Sequence, residues 1–93
     1  MQVKRVFMRL EAEEVVAATR RLKRARGQLD AVIRMLEEGV DCEDVVPQIT
    51  AASTAVRRAG YVVIAEGMTK CMTQVEPDAA QEERLKKMLL SLA

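Results

Sequence analysis

Apolar residues recur from about Leu10 to Glu38 at alternating intervals of three and four: Val15, Ala18, Leu22, Ala25, Leu29, Val32 and Leu36. This spacing keeps one stripe of a 3.6-residue helix apolar and predicts a long amphipathic helix. Gly39 follows where a helix C-terminus favours a residue without a side chain. The next helix is expected to start at Asp41, or at Asp44 with Pro47 close behind. A carboxylate there accepts backbone N–H groups that lack an intrahelical partner, and proline is tolerated in a first turn. This second helix should run to about Gln74 with Val45, Ile49, Ala52, Val56, Gly60, Val63 and Gly67 on one stripe. "VEPD" at Val75 to Asp78 breaks the pattern. Ala79 to Leu92 then makes a short third helix with Leu85, Met88, Leu89 and Leu92 on its apolar side. The fold class is all-α, a three-helix protomer of two long antiparallel helices and a short C-terminal one. Residues 1–9 form an N-terminal arm, and residues 10–93 a single helical domain.

Composition supports this reading. Phe7 and Tyr61 are the sole aromatics, and Ala, Val, Leu and Met supply most of the apolar half of the chain, a helical composition poor in strand formers. At 93 residues a single core is marginal alone, so oligomerisation is expected. Ala52, Ser53, Gly60 and Gly67 make the second helix's seam small enough for another helix to approach closely. The longest apolar run, Tyr61 to Ala65, is far short of the roughly 18 residues that span a bilayer. The N-terminus has Lys4, Arg5 and Arg9 but no long apolar stretch, so the chain is expected to be cytoplasmic, with no membrane partner.

Net charge is +1, but it is unevenly spread. "RRLKRARGQ", Arg20 to Gln28, packs five basic residues into seven positions, whereas Met35 to Val56 carries Glu37, Glu38, Asp41, Glu43 and Asp44 and no positive charge. On a helical wheel Arg20, Lys23 and Arg24 lie opposite the Val15–Leu22–Leu29 stripe, and Arg21 and Arg26 flank it. Guanidinium groups bind phosphate oxygens bidentately, so this is a candidate DNA-contacting face; the alternative is a solvated outer surface. Neither a helix-turn-helix turn nor aromatic residues for stacking on bases accompany it.

The two cysteines, Cys42 and Cys71, are 29 residues apart, eight helical turns plus about 20°, and so share one face of the second helix. On a continuous helix they are about 43 Å apart and cannot form a disulfide within one chain. Two copies of that helix packed antiparallel, with a two-fold axis near Val56, would place Cys42 of one chain beside Cys71 of the other. Inert core cysteines are the alternative. Cys42 stands at a helix N-terminus, where the dipole draws in anions while the neighbouring carboxylates oppose them. The chain has no histidine, which disfavours zinc, nickel and cobalt sites. Two thiolates could hold Cu(I), and sulfur redox chemistry needs only the thiolates.

"RLKRARGQLDAVIRMLEEGVDCEDVVPQITAASTAV" resembles the first two helices of the CsoR/RcnR/FrmR superfamily, small helical bacterial repressors. The specific parts are the R-x-x-x-x-x-G-Q run at Arg21 to Gln28, "RMLEEG", "DVVPQI" and the second cysteine 29 residues after the first. The resemblance implies a four-helix-bundle homodimer assembling as a dimer of dimers, operator double-stranded DNA as partner, and Arg21 and Arg58 as DNA-binding residues, with Lys23, Arg24, Gln28 and Arg20 beside them. In the copper-sensing branch a histidine four residues before the second cysteine is a ligand; here that position is Gly67. The pattern is most similar to the sulfurtransferase-repressor branch, in which persulfide or polysulfide effectors join the two thiols across protomers. By that resemblance Cys42 attacks and Cys71 resolves. The long N-terminal extension and Pro47 depart from the family pattern. A repressor without a cofactor is thus expected. The alternatives are a Cu(I)-responsive repressor using Cys42 and Cys71, and a structural helical assembly; an enzyme is not expected.

Overall fold

The computed structural model describes residues 9–73 and 78–93. A 3-10 turn, Ala12–Val15, leads into α1, Val16–Glu38; α2 spans Cys42–Met72 and α3 spans Ala79–Leu92. The expected arm at residues 1–9 lies outside the described residues except for Arg9. The first helix is less regular at its start than the periodicity predicts. Glu14 directs its carboxylate back to the Glu11 backbone N–H (2.8 Å), and this local bond holds a 3-10 turn before the α-helix proper.

Gly39 ends α1 at φ +87°, a conformation that penalises a Cβ, and its N–H closes on the Leu36 carbonyl. Three residues reverse the chain, and Asp41 is the N-cap of α2, making Cys42 its first helical residue. Pro47 falls past the first turn, where proline removes a backbone bond, yet α2 continues unbroken for 31 residues. Asp78 starts α3 by accepting the Ala80 N–H at 2.9 Å. No described helix is long and apolar enough to cross a membrane.

The short reversal makes α1 and α2 antiparallel neighbours. At the far end Lys70 of α2 meets Glu14 before α1, Nζ to Oε1 2.9 Å. Each long helix carries two heptad rows of apolar residues. The rows Ala18–Ala25–Val32 and Val45–Ala52–Ala59 are buried in the hairpin. The alternate rows, Leu22–Leu29–Leu36 with Ile33 on α1 and Ile49–Val56 on α2, stay largely exposed. The buried rows are mostly alanine, which lets the helices approach closely but contributes little apolar area, at about 25 cal/mol per Å². The larger side chains face outward. In keeping with this, the chain exposes 7105 Å², against about 5400 Å² for a compact monomer of its mass, and extends 55 × 25 × 22 Å.

The small-residue seam of α2 is approached closely by a helix, as expected, and over its C-terminal half that helix is α3 of the same chain. A Cβ on Gly60 would lie 2.8 Å from Leu92 Cδ1, and one on Gly67 would lie 3.1 Å from Leu85 Cδ2. These glycines seat α3 of the same chain, so the C-terminal half of the seam is not open to a second α2. Among the described residues α3 packs on α2 alone.

Candidate nucleic-acid interface and thiol pair

Arg21, Arg24 and Gln28 recur on α1 at intervals of three and four and therefore share a face. Opposite them α2 presents Ala55 and Arg58, again three apart. Together these five residues line an open groove of about 370 Å³ between the two long helices. Ala55 is small enough to leave the groove open. Four of the six residues expected to contact DNA are thus brought together although α1 and α2 are separated by a chain reversal. Arg20 and Lys23 are exposed but do not line the groove. The basic run therefore divides, with one part turned toward Arg58 and the other to open solvent.

No carboxylate lines this groove. The ion pairs among the described residues are Arg9–Glu11 and Lys70–Glu14, so the groove arginines keep their charge uncompensated. Three arginines and a glutamine lining one concavity supply donors of the kind that phosphate oxygens accept from, since each guanidinium can donate two parallel hydrogen bonds. Elsewhere the Glu14 carboxyl is held below its ordinary value, first by the Glu11 backbone N–H and then by Lys70.

The two thiols differ sharply in surroundings. Cys42 is exposed at the first turn of α2, amid exposed Asp41, Glu43 and Asp44. Cys71, near the other end of the same helix, is 2 % exposed, and its Sγ lies 3.9 Å from the Asp78 carbonyl oxygen. Sequence periodicity puts both on one face, but only the C-terminal stretch of that face is covered by α3. The unbroken helix holds the two sulfurs about 43 Å apart by its rise. Within one chain they do not form a dithiol site.

The same geometry bears on metal binding. The described residues contain no group of three or more His, Cys, Asp or Glu side chains placed to hold an ion. Gly67 offers no donor atom, and the space its side chain would need is taken by Leu85. Among the described residues, a single chain therefore gathers no metal centre of three or more such ligands. Sequence reasoning identified the groove's polar residues and both thiols. It missed Ala55, whose only signal is its position three residues before Arg58, and the seating of Leu85 and Leu92 on the two glycines.

Comparison with known proteins places the chain among transcriptional repressors by sequence. The chain is 34% identical over 73 residues to the copper-sensing transcriptional repressor CsoR of Mycobacterium ulcerans, covering 78% of this chain and 62% of that protein. It is 33% identical over 73 residues to CsoR of Mycobacterium tuberculosis H37Rv, covering 78% and 61%. The copper-sensing transcriptional repressor RicR of the same organism is 36% identical over 55 residues, 59% of this chain and 57% of RicR. The chain thus spans about three-fifths of the length of these relatives. No solved structure matches the chain at a significant level. The model of a family described as metal-sensitive transcriptional repressors matches residues 14–92, nearly the whole described helical body, and the chain belongs to that family.

Proposed function

We propose that the protein is a self-associating, DNA-binding repressor that senses reactive sulfur species, persulfide or polysulfide, through Cys42 of one protomer and Cys71 of another. The observation that carries this reading is the placement of the thiols at opposite ends of one unbroken α2, which makes any sulfur bridge between them a bridge between chains. Such a link changes the relative stability of two quaternary arrangements, one of which fits operator DNA, and this difference couples effector to operator. The groove of Arg21, Arg24, Gln28 and Arg58 is the DNA-facing element, with Arg20 and Lys23 as outer phosphate contacts. The second chain is needed for another reason: the outward rows of Leu22, Leu29, Leu36, Ile49 and Val56 bury their apolar area only against another copy.

The test is intact mass under denaturing, non-reducing conditions after treating reduced protein with sodium tetrasulfide, glutathione persulfide or hydrogen peroxide. Covalent dimers carrying added sulfur atoms, absent from Cys71→Ala, support the reading. Unmodified monomer in every arm refutes it.

A second reading makes Cu(I) the effector, held by the same two thiolates across chains. The names of the copper-sensing relatives favour it; the occupied space at Gly67 and the absence of any histidine disfavour it. One tightly bound copper per protomer with loss of DNA binding would select it over the sulfur reading. The remaining reading, a purely structural assembly, requires that the protein show no salt-dependent DNA retention even at low ionic strength.

A further inference from the structure

We infer that α3 is a lid over Cys71, and that this lid fixes the order in which the two thiols react. The inference rests on the thiol-sensing reading above. Cys42 and Cys71 lie on the same face of α2, yet one is exposed and the other is 2 % exposed. Among the described residues, the end that carries Cys71 is packed by α3 and by the Ala12–Val15 turn, and the atom given against Cys71 Sγ belongs to the start of α3. Its N-cap residue, Asp78, holds its carbonyl oxygen 3.9 Å from Cys71 Sγ. One turn back, Leu85 sits over Gly67, and two turns further back Leu92 sits over Gly60. Glycine in the middle of a helix weakens it, and here the two glycines clear a seat for α3 that an added Cβ would obstruct.

The seat is shallow. Of the 14 residues of α3, only Gln81 and Leu85 are buried, while Met88, Leu89 and Leu90 are exposed. Among the described residues α3 touches no element but α2. It can therefore leave without disturbing the Ala18–Ala25–Val32 packing against α2. Lid motions of this kind expose a site without unfolding its scaffold.

Thiol exchange requires the attacking thiolate to reach a sulfur of its target directly. The first transfer therefore falls to Cys42. Its thiolate attacks the outer sulfur of a persulfide R–S–SH, a new S–S bond to Cys42 forms as the persulfide's own S–S bond breaks, and R–S⁻ leaves with that bond's electron pair, the outer sulfur keeping its proton. The product is Cys42–S–SH. In the second step, with the lid raised, the thiolate of the partner's Cys71 attacks Cys42 Sγ and hydrosulfide leaves. The resulting bridge occupies the approach to Cys71 that α3 covers when docked, so bridging and docking of α3 exclude one another.

The test uses the full chain in two single-cysteine forms, Cys71→Ala and Cys42→Ala, alkylated with N-ethylmaleimide and followed by mass. Cys71 should react at least tenfold more slowly than Cys42. Adding Leu85→Ala or Leu92→Ala should raise the Cys71 rate severalfold and leave the Cys42 rate unchanged. Leu92 lies in the last turn, so L92A preserves the measurement if L85A fails to fold. Equal rates for the two thiols overturn the lid. So does a slow Cys71 rate that ignores both latch variants, which would assign the cover to something other than α3, and so does a parallel rise of both rates, which signals general loosening. Since no sulfur donor or DNA is present, the outcome is separate from that of the tetrasulfide experiment.

Discussion

Replacing Leu29 with glutamate should dissociate the protein without unfolding the protomer. Leu29 belongs to the outward row Leu22–Leu29–Leu36 and is 43 % exposed, while the row that seals the hairpin, Ala18–Ala25–Val32, is untouched. Burying the remaining apolar area of one such leucine in an interface is worth about 2 kcal/mol at about 25 cal/mol per Å². A two-fold interface counts it twice, so the variant forfeits about 4 kcal/mol before the cost of desolvating two carboxylates is added. Since each 1.4 kcal/mol is about tenfold, the dissociation constant should rise at least about a thousandfold. Sedimentation velocity at micromolar concentration should show wild type as an oligomer and L29E as a monomer, with unchanged helical circular dichroism. Lys23→Glu, on the solvent side of α1, is the charge control and should remain assembled. An L29E protein that sediments like wild type would refute the claim that this row meets a second copy. An L29E chain without helical structure would refute the claim that Leu29 is dispensable to the protomer.

Three other substitutions probe the groove, the helix start and the chain reversal. Arg58→Ala should flatten the dependence of log K for DNA on log salt by about 0.9 for each phosphate the side chain no longer neutralises, measurable by fluorescence anisotropy, while Arg26→Ala, outside the groove, changes the slope less. Glu14 has its carboxyl held low by the Glu11 N–H and by Lys70, so its contribution is present above the unfolded-state value and is lost as pH falls through the lowered folded value. In thermal melts the gap between wild type and Glu14→Gln should therefore be widest near neutrality and close in strongly acidic solution; a constant gap would contradict this assignment. Gly39→Ala places a Cβ at φ +87° and should cost about 1–3 kcal/mol, lowering the melting temperature by several degrees in calorimetry.

The groove shows how a site can be partly legible in a linear sequence. Arg21, Arg24 and Gln28 are close on a helical wheel, so their common face follows from spacing alone. Arg58 joins them only because α1 and α2 pack against each other as antiparallel neighbours. Arg20 and Lys23 carry the same charge in the same run, yet a rotation of one residue, about 100°, turns them away from the groove.

The sequence by itself determined the helices, because their periodicity, Gly39 and Asp78 are local signals whose physics acts within a few residues; Asp41 stands at the N-cap of α2 but its side chain makes no cap hydrogen bond. It also determined that Cys42 and Cys71 do not pair within a chain, since helical rise depends only on residue count. Tertiary structure decided which apolar row is used inside the hairpin and which is left facing out. Both rows recur at helical spacing along the chain, and the smaller, less hydrophobic one was drawn inward because alanine lets two backbones come close. It decided, too, what fills the seam at Gly60 and Gly67. The glycines mark a close approach, but only the packed α3 identifies Leu92 and Leu85 as the side chains that make it, and so explains why one cysteine is open while the other is covered.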